Sequence, residues 1–361
     1  MNQLISISKL APLFLAFIFA SYGYSQPCVQ EELIKLPGEW KQGMKGSVNN
    51  VSSANLVKEK EVVQSILKIF MDGYKPMGCK AQYSGVYGFN KYSGKNWISD
   101  PYGLSVFFLR YLCDPNNKEN YYVDISTPTN LQVSVNKFTP LNVEFYAAEL
   151  PDDHEEGYIG IRKIPEYKNG FYFMESTSAY YDAIKTYFWM IGYTDKLPYK
   201  HVTQKEYLLK TLAEYKSKIQ EINEEEAARK KRGDELTQAD IEFYDRQRNY
   251  YGNPLILIGN MLESKSEEEL ASPAVILHPG DLQPLSNLVA MGTPNADILI
   301  KPNPDYFNKS LPKHAPQLFS INLTISEGDP VFEDVYQKIS NAVDIKKFKA
   351  MLGESFEPEK H

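Results

Sequence analysis

Three cysteines and five histidines are scattered through 361 residues. No two histidines share a helical turn, and no Cys-x-x-Cys pair occurs. Zinc sites draw on closely spaced Cys and His ligands, so none is expected. No Gly-x-Ser-x-Gly elbow nominates a nucleophilic serine, and no His-Glu-x-x-His pattern nominates a metalloprotease. Positive charge is not in excess either. The chain carries a net charge of −7, which argues against nucleic acid as a partner, because that ligand demands a basic footprint. Beyond residue 20 no apolar run approaches the roughly 20 residues that a membrane-spanning helix needs. No cofactor and no metal is expected, and the residues alone do not decide between an enzyme and a binding protein.

Two stretches approach a motif and fail it. Between Gly88 and Gly94-Lys95 lie five residues, one more than a P-loop has, and Asn96 stands where Ser or Thr would hold magnesium. A glycine-containing hairpin turn fits better. Asp152-Asp153-His154-Glu155-Glu156 lacks the alternating oxygen ligands of a calcium loop and sits between Pro151 and Gly157, as a solvated loop would.

The first 25 residues read as a secretory signal peptide. Lys9 is the only charged residue before Glu31, and an apolar run of ten residues from Ala11 to Ala20 follows it. Such a run is too short to stay as an anchor, and small residues at Gly23 and Ser25 suit a signal peptidase. The mature chain is expected to begin at Gln26, without a later membrane span, in the periplasm or the medium. Gln26-Pro27 before Cys28 do not match the small residues of a lipoprotein signal.

The remainder reads as a single α+β unit over 26–361, with an antiparallel sheet, a helical hairpin insertion and a C-terminal strand/helix segment. A helix is expected from Ser52 or Ser53 to about Asp72, with Leu56, Val63, Ile66, Leu67 and Phe70 on its apolar face. A sheet-rich part covers 82–199, where β-branched and aromatic runs alternate with turn residues. Its candidate strands are 104–112, 121–125, 131–135, 143–148, 158–163, 170–174 and 187–193. A helical part covers 203–270. Thr203 and Glu206 form a capping-box pattern, and Leu208, Leu212, Tyr215, Ile219 and Ile222 form a seam. Gly233 stops this helix, Thr237 starts a second, and Asn253-Pro254 a third. The hairpin is expected to stand apart from the sheet, thinly packed towards Gly233. The strand/helix part covers 272–352, with strands near 274–277, 297–300 and 318–325, and a helix opened by Asp329-Pro330.

Export places the cysteines in an oxidising compartment, where disulfides persist. Cys79 and Cys113 fall in one compact region, so a Cys79–Cys113 disulfide is expected. It would close a loop of about 34 residues, worth roughly 3–4 kcal/mol in the chain-entropy model, and would leave Cys28 unpaired. Aromatics make up 13% of the chain, and they cluster at 158–199. Trp97, Tyr102, Tyr187, Trp189 and Tyr193 are the candidate binding residues, as rings that could stack on sugars or a peptide. From 187 to 193, Tyr, Trp, Ile and Tyr alternate with Phe188 and Met190. Both faces are therefore apolar, which favours a sheet buried on both sides over an exposed stripe.

Pro76-Met77-Gly78-Cys79, Trp97-Ile98-Ser99-Asp100-Pro101-Tyr102, Tyr111-Leu112-Cys113-Asp114, Lys205-Glu206-Tyr207-Leu208 and the stretch Lys301 to Lys309 resemble a family of uncharacterised exported bacterial proteins with no assigned activity. The resemblance implies export and transfers no functional residue. The leading expectation is a non-enzymatic extracytoplasmic protein that binds a glycan, a peptide or an envelope protein. The alternatives are a hydrolase acting on a cell-envelope polymer and a structural partner docking through helices 204–270.

Overall fold

Ser52 opens the first long helix by accepting the Asn55 N–H on its side chain, at 3.2 Å. The helix runs from Ser53 to Gly73 and buries Val63, Ile66, Leu67 and Phe70, the stripe that its spacing dictates. In the computed structural model, the described residues are 27–88, 98–117, 119–138, 158–177, 183–193, 195–277 and 287–353. The expected signal peptide, the 143–148 strand, the acidic loop 152–156, Trp97 and most of the P-loop-like stretch lie outside them.

In chain order the elements are α1 (Gln30–Leu33), β1 (Trp40–Gln42), α2 (Ser53–Gly73), β2 (Cys79–Tyr87), β3 (Tyr102–Cys113), β4 (Tyr121–Val123) and β5 (Asn130–Val135). Then come β6 (Ile159–Ile161), β7 (Glu166–Lys168), β8 (Phe171–Thr177), β9 (Ile184–Gly192) and β10 (Tyr199–His201). The helices α3 (Gln204–Lys231), α4 (Gln238–Ser264) and α5 (Glu267–Ala271) follow, then β11 (Val275–Leu277), β12 (Asn287–Leu288), β13 (Asp297–Pro302), β14 (Leu318–Ser326), α6 (Pro330–Ala342) and α7 (Ile345–Ala350).

The fold is α+β. A large sheet has the order β1-β2-β3-β5-β14-β9-β8-β7, with β4 also on β3. Its pairs are antiparallel except β1 with β2, which run parallel. A smaller sheet has the order β10-β13-β11-β12, with β6 on β13. The C-terminal part is split between the two: β13 lies in the small sheet, while β14 lies at the centre of the large one.

Alternation along the strands gives each sheet two faces. One face of the large sheet, with Leu104, Val106, Phe108, Val133, Trp189, Ile191, Phe319 and Ile321, packs under α2, α6 and α7. Phe348 of α7 sits 6.2 Å from Phe70 and 5.2 Å from Phe319, ring centre to ring centre. Each such buried ring contributes roughly 1.5–3 kcal/mol. On the other face, Phe188, Met190, Met174 and Leu318 pack against Ile161, Val275, Ile298 and Ile300 of the small sheet. The strand at 187–191 is thus buried on both sides, as its alternation implies.

The hairpin α3–α4 stands on the small sheet through Leu208, Tyr207 and Ile258, which pack on Val202, Ala274, Ile276 and Leu299. Thr203 caps α3 by accepting the Glu206 N–H at 3.1 Å. The Glu206 carboxylate accepts from the Lys301 Nζ at 2.7 Å. Thr237 caps α4 in a full capping box with Asp240, and Gly233 takes the left-handed φ of +82° that the reversal needs. Asn253-Pro254 do not start a third helix. Pro254 lies inside α4, where Tyr244, Tyr251, Leu255 and Ile258 keep one inner face across it. That tertiary seam overrides the local break signal.

The expected Cys79–Cys113 disulfide is not formed. Cys113 is bonded to Cys28 with the Cα atoms 5.6 Å apart, and Cys79 is a buried free thiol. The reason is strand parity. Cys79 pairs across the sheet with Arg110, so Cys113, three residues on, points to the opposite face. Gln30 brings Cys28 to it: its Nε2 donates to Tyr111 O at 3.0 Å, and its Oε1 accepts from Cys113 N at 3.2 Å.

Candidate functional site

The second face of the large sheet changes character halfway across. Its β8–β9 half is apolar and covered by the small sheet. Its β2–β3–β5–β14 half carries two polar, uncharged rows, with Lys80 and Leu109 beyond Phe107 further along β2 and β3. Strand register aligns Ser84, Ser105, Gln132 and Asn322 in one row across four strands. The next row holds Val86, Gly103, Ser134 and Ser320. Phe107 lies on the same face, paired with Gln82 and Asn130, and is 42% exposed.

The row is open at one end and closed at the other. Ser84 and Ser105 are half-buried and Gln132 is exposed, whereas Asn322 and Ser320 are buried. Neither atom of the Asn322 amide, nor the Ser320 hydroxyl, has a hydrogen-bond partner among the described residues. A buried polar group left unpaired costs about 1–3 kcal/mol, and native structures keep few of them. An amide offers both donor and acceptor, and the serines offer both as well. The face can bind neutral hydroxyl and amide groups, with Phe107 as an apolar platform. The two rows contain no His, Cys, Asp or Glu. Among the described residues no three His, Cys, Asp or Glu side chains gather as a metal centre needs.

A second unusual cluster lies at the end of the sheet. Glu59 falls on the apolar stripe of α2, three residues after Leu56 and four before Val63. It is fully buried, and neither carboxyl oxygen receives a hydrogen bond from an amide, hydroxyl or cation among the described residues. Its neighbour is the Asp100 carboxylate, within hydrogen-bonding reach. Burial first, and Asp100 second, push the Glu59 carboxyl up to about 8. That shift favours the protonated form of Glu59 at neutral pH, the form able to donate to Asp100.

Asp100 is held from three sides. Asn55 Nδ2 donates to its Oδ2 at 2.7 Å, its N–H donates to Lys313 O at 2.8 Å, and its carbonyl accepts from Asn136 Nδ2 at 3.2 Å. With Asn55 so oriented, its Oδ1 accepts from His314 Nδ1 at 3.2 Å. Asn136 adopts a left-handed φ of +56°, and its Oδ1 accepts the Gln317 N–H at 2.7 Å. Two acids sharing a proton are familiar in hydrolases. Here Glu59 and Tyr102 are fully buried and Asp100 is 7% exposed, so the Glu59 carboxyl is enclosed within the fold.

The four described residues of the sequence-predicted binding set, Tyr102, Tyr187, Trp189 and Tyr193, do not form a stacking stripe. Tyr102 is buried beside the acid pair, its hydroxyl donating to His314 O at 2.7 Å. Tyr187 stacks on Tyr336 of α6 at 4.1 Å, and Trp189 packs on Phe173 at 5.6 Å. The Tyr193 hydroxyl donates to the carbonyls of Pro316 and Gly353, each at 3.1 Å. These rings serve the core. The polar row is readable as hydroxyl and amide residues at alternate strand positions, and the acid pair as a carboxylate within an apolar helix stripe.

Compared with known proteins, the chain matches no family model, no curated protein and no solved structure.

Proposed function

We propose that the chain is an exported, non-enzymatic binding protein that takes a neutral glycan on the polar face of the large sheet. The observation that carries this reading is the unpaired, buried Asn322 at the closed end of an uncharged hydroxyl and amide row. A sugar bearing hydroxyl and acetamido groups offers donors and acceptors to Asn322 and Ser320, which have no partner among the described residues, and to the exposed Gln132, and its apolar ring face suits Phe107. The signal-like first 25 residues and the Cys28–Cys113 disulfide support export. The enclosure of Glu59 and Asp100 counts against a hydrolase.

Calorimetry with N-acetylglucosamine oligomers tests the reading. Saturable binding is expected, weakened about tenfold by Gln132→Ala, a change worth about 1.4 kcal/mol. Gln132 is exposed, so the variant leaves the core intact. Absence of binding, or binding that Gln132→Ala leaves unchanged, contradicts it.

A second reading, docking through the helical part, is favoured by α4. Phe243, Tyr250 and Leu257 lie seven residues apart and are 50%, 41% and 53% exposed. That spacing keeps them on one side of the helix, as a row for a partner helix. On this reading Tyr250→Arg abolishes a helix-docked complex and leaves glycan binding unaltered.

A further inference from the structure

We infer that Glu59 and Asp100 form a proton-operated latch that ties the N-terminal half of α2 to the end of the large sheet. The geometry has three parts. Glu59 comes from α2 and has no side-chain donor at either oxygen among the described residues. Asp100 comes from the segment that leads into β3. Asp100 is in turn bonded to Asn55 of the same helix, to Lys313 O and to Asn136. Through Asn136 and Gln317 the latch also holds the ends of β5 and β14 together. One proton between two carboxyls completes this set. Without it, two buried negative charges face one another in a low-dielectric site, and like charges so placed cannot both persist.

The titratable groups that face Glu59 among the described residues are few. Asp100 raises its proton affinity. Tyr87 of β2 and Tyr102 of β3 both sense its charge, and burial first, then Glu59, raises the proton affinity of each hydroxyl. His314, from the segment before β14, is one hydrogen bond further away, through Asn55. No described lysine or arginine acts on Glu59. Of these groups only His314 can carry positive charge, and it reaches the pair through Asn55 rather than directly.

The sign follows from linkage. Below pH 4.5, the ordinary value for the group, Glu59 is protonated in both the folded and unfolded chain. Between 4.5 and about 8 the unfolded chain releases the proton and the folded chain keeps it. Stability from this group is therefore complete on the acid side, falls as pH rises through that window, and is gone above it. Above about 8 the folded chain also ionises, and the latch opens. It stands apart from the glycan reading, because it concerns α2 and the strand ends rather than the polar rows.

Thermal melts of the mature protein and of Glu59→Gln, from about pH 5 to about pH 9, test the latch. The substituted amide keeps the shape of the carboxyl, donates to Asp100 and cannot ionise. The variant is expected to melt close to wild type at the acid end and several degrees above it at the alkaline end. Parallel curves overturn the inference. Amide exchange over 55–63, corrected for the intrinsic pH dependence, is expected to rise above about pH 8 in the wild type only. An equal rise in both proteins also overturns it. Should Glu59→Gln fail to fold, the wild type still decides. A protonated-carboxyl infrared band present near neutral pH must titrate away at about pH 8, and its absence on the acid side refutes the latch.

Discussion

Arg229 of α3 places its Nη1 2.9 Å from Oδ1 of Asp240 of α4, and this pair crosses the hairpin next to its tip. Arg248 crosses further down, 2.6 Å from Glu226, which also receives Lys230 at 2.7 Å. The tip is therefore held by ions around the buried Tyr244 of α4, while the buried side chains of α3 all lie in its first turns. The hydrogen bond from Arg229, with those from Thr237, holds the Asp240 carboxyl down to about 2. Its contribution is present above pH 3.8 and is lost as pH falls towards 2.

Exposed ion pairs weaken as salt rises. Amide exchange at 224–246 should therefore quicken markedly between low and high salt, while exchange at 204–212 stays slow. Arg229→Gln should reproduce the high-salt pattern at low salt. Salt-independent exchange at the tip shows that some other contact holds it.

The disulfide gives a second prediction. Non-reducing peptide mapping should link Cys28 to Cys113 and find Cys79 free. Cys28 and Cys113 are 85 residues apart, and a loop of that length is worth about 4–5 kcal/mol in the chain-entropy model. Cys113→Ser should lower the melting temperature by roughly ten degrees or more, whereas Cys79→Ala should leave the bond intact. Burial pushes the Cys79 thiol up to about 11, so thiol reagents should label it only in the unfolded chain.

Asn322 gives the third. Replacing a buried, unpaired amide by an apolar group of similar size removes a desolvation cost. Asn322→Leu should raise stability by about 1–2 kcal/mol and abolish glycan binding together. A residue kept at the expense of stability is the mark of a binding site. Loss of stability in Asn322→Leu indicates that the amide is paired in the folded protein.

Much of this architecture is readable from residue types. Thr203 and Thr237 announce their helices because a hydroxyl at the N-cap is a local device. The alternation at 187–191 announces a strand buried on both sides because side chains follow the pleat. What is not legible depends on contacts distant in sequence. Cys28 meets Cys113 only because Gln30 docks on the end of β3, and α4 continues through Pro254 only because α3 packs along it. The strand β2 carries a weak signal because Ala81, Ser84 and Gly85 have little β preference; pairing with β3 forms it. Glu59 is visible as a misplaced charge on an apolar stripe, but its partner Asp100 is 41 residues away. The polar row needs the register of four strands, and β14 enters that row from nearly two hundred residues downstream of β5.

The most direct measurement follows the Asn322 side chain itself. Protein labelled with ¹⁵N on asparagine amides shows one NH₂ pair per asparagine, and the pair missing in Asn322→Leu identifies Asn322. Titration with N-acetylglucosamine oligomers should shift that pair progressively to saturation, while Asn55 and Asn136, held at the acid pair, stay in place. A ligand that binds and leaves the Asn322 pair unmoved, or an Asn322 pair unmoved at every concentration, contradicts the assignment of the polar face as the binding site.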